Sequence, residues 1–247
     1  FGPAGASGVL SASQLSFGIA TALGGAYDDS PYDGVLGLAF PALASRGSTP
    51  PLIDLVNQGI IAQPLFTVYL GTIFDDNLDG VVTFGDIDTT NCGPVIGYAP
   101  VTVPAFFQVH LDTISIGNLT LSDGWEAISD TAISTLTTID RSIADQIANS
   151  AGATYDFTLG NYHIDCAADF PDIQLKIGEL NLRILAENMI IPSPPGPNLC
   201  DFALDVIPDP HLGASFVLGA PFVRQYCNIY DIGNQRVGFA TPVYEGQ

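Results

Sequence analysis

The sequence predicts a mainly-β protein, and three observations carry that. Glycine and proline are abundant (26 and 18 of 247 residues), while charged residues make up only 13%, against roughly 25% in ordinary soluble domains. Apolar residues alternate with polar ones in short runs bounded by turn-formers. Helical periodicity is confined to two short stretches.

In chain order, Ser48 to Ile61 holds a short helix, with Pro50 and Pro51 near its start and Gly59 near its end. Phe66-Thr67-Val68-Tyr69-Leu70, Gly80-Val81-Val82-Thr83-Phe84 and Phe107-Gln108-Val109-His110-Leu111 alternate and read as strands. The apolar run from Val109 to Ile116 alternates too. After it and a short polar turn, Ser129-Asp130-Thr131-Ala132-Ile133-Ser134 reads as a strand delivering a carboxylate to a tight loop of small residues. A second helix covers Asp140 to Ala151, where Ile143, Ile147 and Ala148 share a face and Gly152 stops it. Asp172-Ile173-Gln174-Leu175-Lys176-Ile177 returns to alternation.

Six Lys and Arg against 26 Asp and Glu give a net charge of −20 and a pI near 4.1. Nucleic acid is therefore excluded as a partner, because little here neutralises phosphate. In strong acid the carboxylates protonate and self-repulsion shrinks, which suits a protein working in acid. The plainer reading is that acidity keeps a 47% hydrophobic chain dissolved. No apolar run approaches the ~18 residues of a membrane span, which predicts no membrane partner. The chain begins at Phe1 with no basic n-region or signal peptide, and so reads as a processed product or a fragment.

Cys92, Cys166, Cys200 and Cys227 show no C-x-x-C spacing, which speaks against a zinc ribbon or redox dithiol. Their even number favours two disulfides. Asn118-Leu119-Thr120 is a glycosylation sequon. Asp75-Asp76-Asn77-Leu78-Asp79-Gly80 fits D-x-N-x-D-G with Asp86 at the twelfth position, but its flanks read as strands rather than the helices of a calcium hand. His110, His163 and His211 form no ligand spacing. No metal and no cofactor are expected, and no G-x-S-x-G elbow or phosphate loop occurs.

One echo runs through the chain. Tyr32-Asp33-Gly34-Val35-Leu36-Gly37-Leu38 and Phe216-Val217-Leu218-Gly219 both place two apolar residues before a glycine, and Gly219 lies 89 residues after Asp130. If both halves share one plan, Gly37 needs its own carboxylate loop, which falls roughly 50 residues before Phe1. No Asp-Thr-Gly or Asp-Ser-Gly occurs in residues 1–247.

With these segments in order, the sequence resembles the pepsin-like aspartic proteases over nearly its whole length. Asp33-Gly34-Val35-Leu36-Gly37-Leu38-Ala39-Phe40-Pro41 is similar to the family's D-G-I-L-G-L-A-Y-P, and Phe84-Gly85-Asp86-Ile87-Asp88 to its L-G-G-I-D. Ala127-Ile128-Ser129-Asp130-Thr131 resembles the approach to the second catalytic aspartate. Val217-Leu218-Gly219, Phe222-Val223-Arg224-Gln225-Tyr226 and Val237-Gly238-Phe239-Ala240 resemble the closing segment.

The resemblance implies a bilobal fold with an incomplete first lobe. Residues 1–100 would be the remainder of the N-terminal lobe after the flap, with the inter-lobe strand; residues 101–247 would be the C-terminal lobe. It implies a disulfide between Cys166 and Cys200, and with it one between Cys92 and Cys227. It implies an aspartic endopeptidase acting on polypeptides in acid, a monomer when full length, on a secreted or lysosomal route. Asp130 and an aspartate outside this chain would share a proton and activate water. Thr131, Ala132, Ile133 and Ser134 would lie near the substrate, and Phe106 would line the groove unless it is core.

Two departures stand out. The family's D-T-G-T/S-S becomes Asp130-Thr131-Ala132-Ile133-Ser134, so a methyl group replaces the glycine hydrogen and Ile133 lacks the hydroxyl that steadies the aspartate. They motivate the alternative, a protease-like peptide-binding protein without catalysis, holding an extended peptide as an added strand.

Overall fold

The computed structural model describes residues 12, 15–22, 24, 33–72, 80–192, 198–207, 209 and 212–243. Its elements run α1 (Pro51–Asn57), β1 (Leu65–Leu70), β2 (Gly80–Phe84), β3 (Cys92–Pro100), β4 (Gln108–Leu111), β5 (Thr113–Ile116), β6 (Leu119–Leu121), β7 (Trp125–Ser129) and β8 (Leu136–Thr138). After α2 (Arg141–Ala151) come β9 (Thr154–Asp156), β10 (Asn161–Asp165), β11 (Ile173–Ile177), β12 (Leu180–Ile184), β13 (Ile190–Pro192), β14 (Leu199–Phe202), β15 (Leu204–Val206) and β16 (Phe216–Leu218). Last are α3 (Ala220–Gln225), β17 (Cys227–Asp231) and β18 (Arg236–Pro242). The chain is mainly β, and the described strands form four sheets.

One sheet, ordered β2-β1-β17-β18-β3, joins strands from the first hundred residues to the last two strands of the chain. A disulfide between Cys92 and Cys227 ties β3 to β17 across it, with Cα atoms 6.0 Å apart. A second sheet, β15-β8-β16-β7-β4, carries the loop of interest. The others are β12-β11-β5-β6 and β13-β14-β10-β9. The Cys166–Cys200 disulfide, Cα atoms 5.0 Å apart, clips the end of β10 to β14.

Local chemistry explains the elements that frame the site. In β11, Ile173, Leu175 and Ile177 are buried while Gln174 and Lys176 face water, as a period of two requires. Helix α2 is capped by the Asp140 side chain, which accepts from the Ser142 N–H at 2.7 Å. It ends at Gly152, whose φ of 82° suits glycine. Its buried face is Ala144, Ile147, Ala148 and Ala151. Helix α1 is shorter than the Ser48–Ile61 window, because Gly59 turns left-handed with φ of 68°.

The alternating run Val109–Ile116 spans two strands, β4 and β5. At Asp112 the backbone N–H turns to the Lys176 carbonyl (2.8 Å), so β4 pairs with β7 while β5 pairs with β6 and β11 in another sheet. The strand that delivers Asp130 is β7. Among the described residues, no helix is long and apolar enough to cross a membrane. The calcium-like run Asp75–Asp79 and His211 lie outside the described residues.

Candidate active site

Asp130 stands at the end of β7, where the chain leaves the sheet for the loop Thr131–Thr135 and returns as β8. Strand β16 lies between these two strands, parallel to β7 and antiparallel to β8. The loop therefore bridges over β16. It is fastened there at its start and its middle: the Asp130 N–H donates to the Leu218 carbonyl (3.2 Å), and the Ala220 N–H donates to the Ile133 carbonyl (2.8 Å).

Gly219 is the residue that lets the loop come so close. A Cβ there would lie 2.3 Å from the Thr135 carbonyl oxygen and 2.4 Å from that of Ile133, so only glycine fits.

Asp130 is half-buried, and Thr131, Ala132 and Ser134 are exposed around it, with Ile133 half-buried. The Ala132 N–H donates to Asp130 Oδ1 at 2.8 Å. Among the described residues this is the hydrogen bond its carboxylate accepts. Ile133 contributes its carbonyl to the loop and no side-chain donor. Thr135 and Thr137 share a hydroxyl hydrogen bond of 2.8 Å at the base of the loop. A half-buried carboxylate on a rigid, exposed backbone loop can hold or release a proton and orient a water molecule.

Phe106 is half-buried just before β4, whereas its neighbour Phe107 is 5% exposed. The Phe107 carbonyl accepts from the Ser129 N–H at 3.0 Å, which holds this segment beside the Asp130 strand.

Sequence reasoning missed the support beneath Asp130. Ser129, Asn228 and Tyr230 are buried there together. The Ser129 hydroxyl lies 3.1 Å from Asn228 Oδ1 and 2.9 Å from the Tyr230 hydroxyl. Burial pushes the Tyr230 phenol far above its ordinary value. The available signal was Ser129 itself, a polar residue inside the apolar strand Ala127-Ile128-Ser129.

The histidines belong elsewhere. His110 is exposed and sits 3.2 Å from Glu126 Oε1. Burial works to raise the Glu126 carboxyl, but hydrogen bonds from Thr102, Gln108 and His110 outweigh it and hold it below the usual range. His163 is buried with Nδ1 3.1 Å from Asp201 Oδ1, yet off line, so neither ring nitrogen makes a hydrogen bond. Among the described residues, no group of three or more His, Cys, Asp and Glu is arranged to hold a metal ion.

Residues 7–242 match the family described as "Eukaryotic aspartyl protease". The chain is similar to "Aspartic protease 6" of Caenorhabditis elegans, 42% identical over 233 residues that cover 94% of this chain and 59% of the relative. It is similar to "Cathepsin E" of Mus musculus, 31% identical over 263 residues (98% of this chain, 65% of the relative). It is also similar to "Pepsin A" of Bos taurus, 32% identical over 216 residues (85% and 56%). The chain thus spans less than two thirds of the length of each.

Proposed function

The chain belongs to the pepsin-like eukaryotic aspartyl proteases, and from that premise we propose that it forms the larger part of an endopeptidase that hydrolyses polypeptides in acid with Asp130 as one of two catalytic aspartates. The observation that supports this most is the Asp130 loop. It is held over β16 at its start and its middle and presents a half-buried carboxylate among exposed residues.

The second carboxylate is not on an Asp-Thr-Gly or Asp-Ser-Gly of residues 1–247, so this reading assigns it to a segment beyond them. With one proton shared between the pair, one aspartate takes a proton from water while the other donates to the scissile carbonyl. Water attacks directly and no acyl-enzyme forms. Thr131, Ala132, Ile133 and Ser134 border the substrate, and Phe106 lines the approach to the groove. Substituting Ala132 for the family's glycine does not remove the loop's hydrogen bond to Asp130, since the donor is the backbone N–H. The missing hydroxyl at Ile133 lowers the rate without abolishing it.

Residues 1–100 belong in this reading to an N-terminal lobe and residues 101–247 to a C-terminal lobe. The two disulfides fit a secreted or lysosomal protein. Asn118, exposed at the turn between β5 and β6, is its glycosylation site.

The test is proteolysis of an unfolded protein by the product of the complete open reading frame. Cleavage in acid that pepstatin blocks is expected. No cleavage, with pepstatin still bound, would return the non-catalytic binding protein instead.

A further inference from the structure

Three polar side chains beneath Asp130 form a chain whose direction can be worked out. The Asn228 Nδ2 donates to the Tyr226 carbonyl at 2.8 Å, which turns Oδ1 of the same amide toward Ser129. An amide oxygen only accepts, so the Ser129 hydroxyl spends its hydrogen on Asn228. The 2.9 Å contact between Ser129 and Tyr230 is therefore donated by Tyr230. All three residues are nearly closed to solvent, at 4%, 0% and 1% exposure. Burial keeps the phenol protonated, so the donor is always available.

This chain crosses between sheets. Ser129 is on β7, one residue before Asp130, while Asn228 and Tyr230 are on β17 of the disulfide-tied sheet. Ser129 is also held by its backbone, through its N–H to the Phe107 carbonyl. The Tyr230 ring stacks on Phe66 (centroids 4.7 Å apart, planes 20° apart) and meets Phe107 at 4.7 Å. Phe107 in turn packs on Phe40 at 4.9 Å, and the Phe40 N–H donates to the Ala105 carbonyl. Phe40 closes the segment that contains Gly37, the first-half echo of Gly219.

We propose that Tyr230 is a positioning residue for catalysis: its hydroxyl fixes Ser129, and so the Asp130 carboxylate, against the aromatic cluster that anchors the Gly37 segment. This rests on the reading of Asp130 as a catalytic aspartate. The two carboxylates of such a pair must be held to within about half an ångström of the geometry in which they share a proton, and the strand residue next to Asp130 is where such precision is kept or lost.

The test is steady-state proteolysis by the product of the complete open reading frame and its Tyr230→Phe, Ser129→Ala, Ser129→Thr and Tyr162→Phe variants. Tyr162→Phe removes the hydroxyl of another buried tyrosine, one that donates to Asp145 at 2.6 Å and accepts from Arg141 at 3.2 Å, and so measures the loss of a tyrosine hydrogen bond that does not touch Ser129. Tyr230→Phe is expected to lower kcat about tenfold with KM unchanged. Ser129→Ala is expected to do the same, Ser129→Thr to recover most of the rate, and Tyr162→Phe to leave kcat alone. Wild-type kcat in Tyr230→Phe, or an equal fall in Tyr162→Phe, would overturn the positioning role while leaving Asp130 catalytic. Wild-type protein without acid proteolysis would overturn the reading of Asp130 and this role with it.

Discussion

Gly219 and Ile133 are in mutual contact with no room between them: a methyl group on the glycine would stand 2.4 Å from the Ile133 carbonyl oxygen. The Asp130 loop keeps its shape because the β16–α3 junction lies directly beneath it. Gly219→Ala is therefore expected to displace the loop or unfold the sheet, at a cost of about 3 kcal/mol or more. Denaturant unfolding of the two proteins measures this, and a variant of unchanged midpoint would contradict it.

The loop's two unusual residues should behave differently. Ala132 already supplies its N–H to Asp130, so Ala132→Gly is expected to change kcat less than about threefold, because only a methyl group is lost. Ile133→Thr adds a hydroxyl where none now faces the carboxylate. A charge-assisted hydrogen bond there is expected to raise kcat about tenfold. Parallel kinetics on both variants distinguish the positions.

Acid should weaken the fold from the carboxylates that it buries. Burial raises Asp231, but hydrogen bonds from Asn234 and Arg236 outweigh it and hold the carboxyl below its ordinary value. Asp88 is lowered in the same manner, burial opposing and Asn91 and Thr90 prevailing. A carboxyl lowered in the folded state takes up its proton in the unfolded state first. The stability it contributes is complete above the unfolded value of about 4 and is lost as pH falls through the lower folded value. Unfolding free energy is thus expected to fall below about pH 4. In Asp231→Asn that acid limb should be shallower and stability at neutral pH lower. Denaturant titrations across pH test both.

Asn118 follows Gly117, whose φ of 55° turns the chain at an exposed hairpin tip. Protein made in a eukaryotic secretory host is expected to lose one glycan mass in Asn118→Gln. An identical mass for both would remove the assignment.

Much of this architecture was legible in the residues, and the rest was not for identifiable reasons. Alternation marked β11 because it buries one face, whereas β1, buried on both faces over its first four residues, and β2, with no buried residue, were marked by their β-branched and aromatic residues. The alternating run Val109–Ile116 hid a strand break: its buried positions shift phase from Val109 and Leu111 to Ile114 and Ile116 across Asp112, where β5 leaves for a different sheet. Strand β7 was legible only at its Ser129 end, because Glu126, whose carboxylate accepts hydrogen bonds from Thr102 and Gln108, breaks the apolar run before it. Helix α3 has six residues, with Pro221 second, too short for a helical period to show. Asp130 stood out through its neighbours in sequence. Its support did not, because Ser129 and Tyr230 are 101 residues apart and meet only across two sheets.

Asp130 carries the account, and Asp130→Asn tests it most directly, since the amide keeps the shape of the side chain and removes its ionisable proton. Acid proteolysis by the product of the complete open reading frame should fall by about a thousandfold or more in the variant, with its unfolding midpoint at neutral pH little changed. A variant that folds and cleaves at the wild-type rate would contradict the assignment of Asp130 as a catalytic aspartate.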